Sequence, residues 1–312
     1  MPRVAIFIAG PTASGKSAVA MAVAEALAPH GGAGIINADS MQVYRELRVL
    51  TARPGDDDLA RVPHHLYGAI AADERFSAMV WRDLAMAAIE SCWQEGRVPL
   101  VVGGSGLYFK ALIAGLAPIP VIDPSVRSEA RRLVETEGPE AIHAKLRMRD
   151  PEAAARIRPG DRQRVARAWE VIAATGIPLS TWQRQPGDPF PGTFLGFVLD
   201  PPREVLDQRI AERFAGMIAG GAIEEVRRLE ALDLPPIAPL RRAVGVAEIA
   251  AHLRGEHDLA TAISLGARAS RQLAKRQGTW FRNQMSSWDF ESQQIESFLN
   301  KNFPKILKSL LT

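Results

Sequence analysis

The chain of 312 residues has one cysteine, Cys92, and no long apolar run. A single thiol excludes an internal disulfide and leaves no thiolate cluster for zinc. No run approaches the roughly 20 apolar residues of a membrane helix, and the first nine residues lack the basic start and cleavage site of a signal peptide. We therefore expect a cytoplasmic protein without a membrane partner, and Cys92 in its core.

Neither sign of charge predominates, since the net charge is +3, but the charge is unevenly distributed. Residues 127–184 carry +4 and residues 241–282 carry +5, whereas residues 1–126 carry −2 and residues 185–240 carry −4. Basic segments on an otherwise acidic protein favour a polyanion such as nucleic acid as the partner. Solvated helix faces are the alternative interpretation.

The most informative motif is GPTASGKS, which follows an apolar run and precedes an alanine-rich stretch. A glycine-rich loop between a strand and a helix surrounds a phosphate with backbone N–H groups, its lysine adds a positive charge, and its serine can bind Mg²⁺. The motif predicts a di- or triphosphate site, and an ordinary ATPase remains open. The predicted binding residues are Gly10, Pro11, Thr12, Ala13, Ser14, Gly15, Lys16 and Ser17, with Ser17 as the metal ligand.

Short apolar runs predict buried parallel strands at residues 4–9, 34–37, 99–102 and 193–199. Helical patterns separate these runs and continue over residues 203–232, 241–253 and 259–283. This alternation indicates an α/β fold, with a P-loop NTPase-like core whose parallel sheet is flanked by helices. Residues 107–192 contain helical patterns punctuated by proline and no convincing strand. We expect a core domain of residues 1–115 and 193–312, which includes the C-terminal helices, and an all-helical insertion domain of residues 116–192.

Residues that directly follow the apolar runs are candidates for the site, because ligands collect beyond the carboxyl ends of parallel strands. Asp39 follows the second run, where a carboxylate beside a phosphate can accept a proton from a nucleophile; a cap or turn residue is the alternative. Ser105 follows the third run within GGSG, where it offers a hydroxyl group and the glycines permit close approach of a ligand. Asp200 ends the fourth run, and it is either a magnesium-positioning carboxylate or a turn residue.

The predicted insertion contains the stretch DRQRVARAWEVIAATG, in which Arg164 and Arg167 lie one turn apart on a predicted helix. Arginine on one helix face suits contact with phosphate, and a solvated surface is the alternative. His64 and His65 are adjacent but have no helical or cysteine partners, so we do not expect a metal site there.

Seven blocks of sequence stand in order: GPTASGKS, NADSMQVYR, TARP, PHHLYG, VVGGSGLY, DRQRVARAWEV and KRQGTWFRNQ. Together, in order and spacing, they resemble the bacterial tRNA dimethylallyltransferase family over nearly the whole chain. The resemblance implies transfer of a dimethylallyl group from dimethylallyl diphosphate to the exocyclic amine of the adenosine 3′ adjacent to the anticodon, with release of diphosphate.

The resemblance also implies catalytic roles for three residues. Asp39 would be the general base or hydrogen-bond acceptor for the adenine amine, Ser105 would stand near the transferred group or the diphosphate, and Arg213 would contact the diphosphate. The phosphate loop would hold the leaving diphosphate in place of ATP, with Mg²⁺ at Ser17. Serine at position 105 replaces a more common threonine and keeps its hydroxyl group.

The same resemblance implies that the anticodon stem-loop of tRNA is the partner, and that the target adenosine is extruded from its stack into the site. The basic segments would then bind the RNA backbone. The implied contacts are Asp39, Ser40, Met41, Gln42, Ser105, Arg127, Gln163, Arg164, Val165, Ala166, Arg167, Arg241, Arg242, Ala243, Val244, Gly245 and Val246. No obligate protein partner is evident, and nothing in the sequence demands more than a monomer.

Three other functions stay open. A related adenylate isopentenyltransferase would use the same donor with a free nucleotide as acceptor, although the basic insertion favours tRNA. A small-molecule kinase would use ATP and an acid such as Asp200. A nucleotide-gated RNA-binding module would bind tRNA without needing Asp39 for its function.

Overall fold

The structure, a computed structural model, describes residues 3–74, 76–235, 238–292 and 294–311. Within these ranges the strands are β1 (Val4–Ala9), β2 (Ala33–Asn37), β3 (His64–His65), β4 (Val98–Gly103), β5 (Thr193–Leu199) and β6 (Asp289–Glu291). They form one sheet in the order β3-β2-β4-β1-β5-β6, and every neighbouring pair is parallel. The predicted α/β class with a parallel sheet is confirmed.

The four apolar runs of the sequence form the four inner strands, and the short edge strands β3 and β6 were not predicted. β1 is buried along its whole length and pairs with β4 on one side and β5 on the other. Its last residue, Ala9, lies opposite Gly103 of β4 and Val198 of β5. The carboxyl ends of these strands therefore meet at one edge of the sheet, where the residues that follow them come together.

In the described ranges the α-helices are α1 (Lys16–Ala26), α2 (Asp56–Arg61), α3 (Ala78–Gln94), α4 (Gly106–Ala114), α5 (Pro124–Thr136), α6 (Pro139–Arg149), α7 (Pro151–Arg156), α8 (Arg162–Thr175), α9 (Leu179–Arg184), α10 (Arg203–Ala219), α11 (Ala222–Glu230), α12 (Val246–Leu253), α13 (Leu259–Gln284) and α14 (Ile295–Leu311). The helix predicted over residues 203–232 is interrupted because Gly221, at φ +104°, starts a new helix. The helix predicted from residue 241 begins only at Val246, because Pro239–Arg242 forms a 3-10 turn. None of the described helices is both long and apolar enough to cross a membrane.

The chain divides into two compact units, of which the first comprises Met1–Leu112 and Pro191–Thr312. Its core packs Ile6 and Ile8 of β1 with residues of α1, and with Phe298 and Ile306 of α14. On the opposite face of β1, Phe7 stacks on Phe194 with ring centroids 4.8 Å apart. Because both faces are covered, the inner strands are continuous apolar runs, and this is why the sequence revealed them.

The second unit, Ile113–Phe190, is described throughout and contains helices and connecting loops only. Asp123, Asp150 and Asp161 cap α5, α7 and α8 by accepting backbone N–H groups of the first turns. Val165 and Val171 of α8 are fully buried in a core shared with α5, α6 and α7. This unit therefore has its own hydrophobic centre.

Candidate active site

The phosphate loop joins β1 to α1 through backbone of the left-handed region. Ala13 has a φ of +62° and Gly15 a φ of +90°, a conformation that glycine adopts freely and alanine only at a cost. Gly10 makes room for β5, since a Cβ at this position would lie 2.7 Å from the Leu199 carbonyl oxygen. The loop thereby ends at the first turn of α1, whose N–H groups have no partners within the helix and can bind a phosphate.

Lys16 stands in that first turn, where its ammonium group donates to the Pro11 carbonyl oxygen at 3.2 Å. Burial lowers the pKa of Lys16 from 10.5 to about 8, whereas the neighbouring Asp39 raises it and Arg213 lowers it further. Burial also lowers the pKa of Arg213, and Asp39 opposes that effect. Lys16 and Arg213 are therefore cations whose charged forms burial disfavours, and a bound polyphosphate would stabilise those forms.

Asp39 is held at the end of β2 by a turn. Its N–H group donates to Asn37 Oδ1 at 2.9 Å, and Asn37 Nδ2 donates back to the Asp39 carbonyl oxygen at 3.0 Å. Asp39 Oδ1 accepts the N–H group of Met41 at 2.9 Å. These hydrogen bonds determine the orientation of Asp39, and they are compatible with either interpretation of this residue.

Ser105 lies beside this turn because the loops after β2 and β4 are hydrogen-bonded to each other. Ser105 Oγ accepts the N–H group of Ser40 at 2.9 Å, and the Ser105 N–H group donates to the Ala38 carbonyl oxygen at 3.1 Å. A hydroxyl group that accepts one hydrogen bond can still donate its own proton to a ligand. The two loops therefore present a carboxylate and a hydroxyl group together.

The glycines around Ser105 make room for neighbouring protein atoms. A Cβ atom added to any of them would lie between 2.0 and 2.4 Å from a neighbouring protein atom. The pairs are Gly103 with Ala38, Gly104 with Gln277, and Gly106 with Trp280. Close packing of the β2 loop and of α13 thus explains this glycine-rich segment.

A cavity of about 950 Å³ in the first unit brings together most of the predicted site residues. Its walls include Lys16, Ser17, Asp39, Ser105 and Arg213. Other predicted residues in its walls are Thr12, Ala13, Gly15, Ser40, Met41, Gln42, Arg242, Ala243 and Val244. Of the remaining phosphate-loop residues, Gly10, Pro11 and Ser14 are buried.

Positive charge predominates in the cavity wall: the cations are Lys16, Arg209, Arg213, Arg242 and Arg276, and the carboxylates are Asp39 and Glu212. Sequence reasoning missed Arg209 and Arg276. Arg209 precedes Arg213 by one turn of α10, and its Nη1 atom lies 3.4 Å from the Ser14 carbonyl oxygen. Arg209 on α10 and Arg276 on α13 are both remote in sequence from the phosphate loop. The one available signal was for Arg209, which stands four residues before Arg213 and therefore on the same face of the helix.

Gln42 is positioned by a loop that a buried carboxylate holds. Gln42 Nε2 donates to the carbonyl oxygens of Thr51 and Ala52 at 2.8 and 2.9 Å. Just before them, Glu225 of α11 accepts the N–H groups of residues 48, 49 and 50 at 2.8, 2.8 and 3.0 Å. Both carboxylate oxygens of Glu225, which is 4% exposed, therefore accept backbone hydrogen bonds. No pattern in the sequence indicated this role for Glu225.

In the second unit, two of the predicted RNA-contacting arginines share one carboxylate. Arg127 Nε and Arg167 Nη1 lie 3.0 and 2.6 Å from Glu170 Oε1. Glu170 is buried, whereas both guanidinium groups are partly exposed. Arg164 is 73% exposed and lies 3.4 Å from Asp161. The cluster keeps exposed cations on the α5 and α8 surface.

Not every residue of the predicted RNA-contacting stretch is accessible. The side chains of Val165 and Ala166 are buried in the core of the second unit, with 0% and 8% exposure. Contact with a ligand along this helix therefore falls to the exposed Gln163 and Arg164 and to the partly exposed Arg167.

The stretch from Arg241 to Val246 likewise combines residues that a ligand can reach with residues that it cannot. Arg241 anchors a turn, because it donates to the Leu234 carbonyl oxygen at 2.9 Å and pairs with Glu230 at 2.9 Å. Gly245, at φ +96°, starts α12, and Val246 is buried behind it. Arg242 is exposed and lines the cavity, so it is the cation of this stretch that a ligand can reach.

Asp200, like the histidine pair His64 and His65, is in the first unit but does not line the cavity. Asp200 pairs with Arg282 at 2.7 Å, and its N–H group donates to the Glu291 carbonyl oxygen, contacts that suit the turn interpretation. His64 Nδ1 lies 2.8 Å from the Val62 carbonyl oxygen. In the described part of the chain, no group of three or more His, Cys, Asp or Glu residues could hold a metal ion.

The parallel sheet, the phosphate loop at the end of its central strand and the cationic cavity define a P-loop protein of the α/β class. The sequence model of the family described as Zeta toxin matches residues 2–66, the region of the phosphate loop. The sequence model of the family described as IPP transferase matches residues 42–284. The chain belongs to the IPP transferase family.

Named relatives are similar over nearly the full length. The tRNA dimethylallyltransferase of Granulibacter bethesdensis is 52% identical over 280 residues, which are 89% of this chain and 86% of the relative. That of Paramagnetospirillum magneticum is 47% identical over 310 residues, 99% of this chain and 97% of the relative. The crystal structure of a tRNA isopentenylpyrophosphate transferase from Bacillus halodurans superimposes with a TM-score of 0.69 at 33% identity, covering 99% of this chain and 97% of that one.

Proposed function

We propose that this protein transfers a dimethylallyl group from dimethylallyl diphosphate to the exocyclic amine of the adenosine 3′ adjacent to the anticodon of tRNA. The observation that carries the proposal is a single cavity lined by the phosphate-loop Lys16 and by Asp39 and Ser105. The similarity to proteins named tRNA dimethylallyltransferase supports both the donor and the acceptor.

In the proposed reaction, the lone pair of the adenine amine attacks C1 of the dimethylallyl group. The bond between C1 and the diphosphate oxygen breaks, and its electron pair leaves with the diphosphate. Asp39, oriented by the Met41 N–H group, accepts the proton that the amine loses. Lys16, Arg213 and the loop N–H groups stabilise the negative charge that develops on the leaving diphosphate.

The cavity wall suits a magnesium ion that arrives with a diphosphate. Ser17 is exposed and lines the cavity, so its hydroxyl oxygen is accessible as a ligand. Mg²⁺ prefers oxygen ligands and binds at such sites through few protein groups together with phosphate oxygens and water. We therefore assign Ser17 as its protein ligand; the ion would add positive charge beside the leaving group.

The direct test is incubation with Mg²⁺, labelled dimethylallyl diphosphate and either unmodified tRNA or AMP. We expect label on tRNA alone, at the adenosine next to the anticodon. Label on AMP would assign the protein to free-nucleotide prenylation. Absence of label from both acceptors, in a preparation whose binding of the donor is verified, would refute the proposed reaction.

Binding of dimethylallyl diphosphate without tRNA should take up protons near pH 8. Lys16 loses its proton around that pH in the free protein, whereas the bound diphosphate favours the ammonium form and raises the pKa. The affinity should therefore fall as the pH rises above about 8. A diphosphate ester has lost its last proton well below this pH, so the ligand itself contributes little.

Calorimetry in buffers of different ionisation enthalpy measures this proton uptake. Lys16→Arg is the matched control, because an arginine stays protonated throughout and should abolish the uptake. Equal proton uptake by the protein and by Lys16→Arg would show that another group titrates.

Arg164→Glu should weaken tRNA binding roughly tenfold at moderate salt and flatten the dependence of the affinity on salt concentration. The proposal rests on the 73% exposure of Arg164 in the basic second unit. Binding is measured by filter retention over a salt series.

Arg203→Glu is the matched charge reversal, because Arg203 is 83% exposed on α10 and lies outside the basic segments. It should leave the binding curve nearly unchanged. Equal losses in the two variants would show a general charge effect, and an unchanged Arg164→Glu would argue against the second unit as the RNA-binding surface.

A further inference from the structure

Gln277 on α13 connects the two loops that form the candidate active site. Its Oε1 atom accepts the N–H group of Thr12 in the phosphate loop at 2.8 Å. Its Nε2 atom donates to the carbonyl oxygen of Gly104, the residue before Ser105, at 2.9 Å. One side-chain amide therefore holds backbone groups that follow β1 and β4, and it does so in the wall of the cavity.

The local packing leaves room for the contact between Gln277 and Gly104. A Cβ atom on Gly104 would lie 2.4 Å from Gln277 Nε2, so glycine is the residue that lets the amide approach. One turn further along α13, Trp280 occupies the space beside Gly106 in the same way. The glycines on both sides of Ser105 thus receive side chains of one helix, which holds the loop against α13.

The connection continues to the proposed general base. Ser105 Oγ accepts the Ser40 N–H group at 2.9 Å, and Ser40 directly follows Asp39. A chain of hydrogen bonds therefore runs from the phosphate loop through Gln277 and the Ser105 loop to the Asp39 turn. Displacing one end of this chain shifts the leaving-group site relative to the carboxylate.

We propose that Gln277 is a positioning residue that sets the distance between the phosphate loop and the Ser105 and Asp39 loops. The role rests on the proposed transfer reaction, in which the diphosphate and the amine must stand in line. Misplacement of reacting groups by about 1 Å can cost on the order of 100-fold in rate. Gln277 itself does not touch the reacting atoms in this proposal.

The amide is suited to this task because it accepts one hydrogen bond and donates another. Gln277→Met keeps the length of the side chain and loses both hydrogen bonds. Gln277→Glu keeps the acceptor for Thr12 and places a carboxylate oxygen against the Gly104 carbonyl oxygen, where the donor is lost. Gln277→Met therefore tests loss of both hydrogen bonds, and Gln277→Glu tests loss of the hydrogen bond to Gly104 alone.

The experiment is steady-state kinetics with dimethylallyl diphosphate and tRNA, together with binding constants for each substrate. For Gln277→Met we expect kcat to fall roughly 10- to 100-fold, while both dissociation constants change less than about threefold. Gln277→Glu should also lower kcat. Gln272→Met, at an exposed glutamine of the same helix, should match the parent protein.

Hydrogen exchange of the Thr12 amide provides a second measurement that does not depend on turnover. It should be slow in the parent protein and in Gln277→Glu, and fast in Gln277→Met. If Gln277→Met does not fold, Gln277→Glu with intact thermal melting carries the kinetic test.

An unchanged kcat in a folded Gln277→Met, or a loss confined to substrate binding, would overturn the positioning role. Failure of the parent protein to prenylate tRNA would instead refute the proposed function. In that case the Thr12 exchange data would still decide whether Gln277 holds the phosphate loop.

Discussion

Asp39→Ala should lower kcat for tRNA prenylation by roughly 100-fold or more, while the affinity for tRNA should stay near that of the parent protein. This result is expected because Asp39 lines the cavity together with Lys16 and Arg213 and is the proposed acceptor of the amine proton. Asp39→Asn should lose nearly as much, although its amide oxygen can still accept the Met41 N–H group. Single-turnover rates and tRNA binding constants measure the two effects separately.

Asp57→Asn is the control for the Asp39 variants, because Asp57 is exposed in the first turn of α2. It should be fully active. Turnover that survives in Asp39→Ala would remove Asp39 from the mechanism and favour a protein that binds RNA without this chemistry. A parallel collapse of tRNA affinity would assign Asp39 to binding.

Arg213→Gln should lower kcat by roughly 100- to 1,000-fold, the usual cost of removing one donor to a developing anion. Arg213 lines the cavity together with Lys16, so its guanidinium group can donate to the leaving diphosphate. The affinity for released diphosphate should fall as well. Product inhibition by diphosphate therefore measures the same contact independently of the chemical step.

Arg203→Gln on the same helix tests whether any arginine of α10 would have this effect. Arg203 is 83% exposed and lies 3.7 Å from Asp207, so its loss should leave both kcat and diphosphate inhibition unchanged. If Arg213→Gln kept its turnover, the neighbouring Arg209 would become the first candidate for the leaving-group contact.

Which parts of the fold could be predicted from the sequence depends on whether a signal is local. β1 and β5 were predicted with their observed bounds because both are continuous apolar runs. β3 and β6 contain two and three residues, too few for a periodic pattern. Helix starts at Gly221 and Gly245 depend on a left-handed backbone, which the sequence indicates only as a possibility.

In the candidate site, too, the residues that could be predicted are those with a local signal in the sequence. The phosphate loop that leads to Lys16 and the turn that contains Asp39 follow strands β1 and β2, so a local motif and the topology of a parallel sheet were enough to bring the two residues together. Gln277 and Glu225 reach their loops from helices late in the chain, and a glutamine or glutamate on an amphipathic helix has no distinguishing pattern. For the same reason the sequence did not show why glycine stands on both sides of Ser105, because the side chains that fill the space come from α13.

The position of β1 at the centre of the sheet has a consequence for synthesis on the ribosome. β1 acquires one neighbour when β4 ends at residue 103, but the other neighbour, β5, ends only at residue 199. At ordinary elongation rates this delay lasts roughly 5 to 20 s. Throughout it the apolar edge VAIFIA has no partner on one side, which makes the nascent chain prone to aggregation. The second unit, with a core of its own, is completed in that interval, so β1, the first strand to be made, acquires its second neighbour only after the whole second unit has been synthesised.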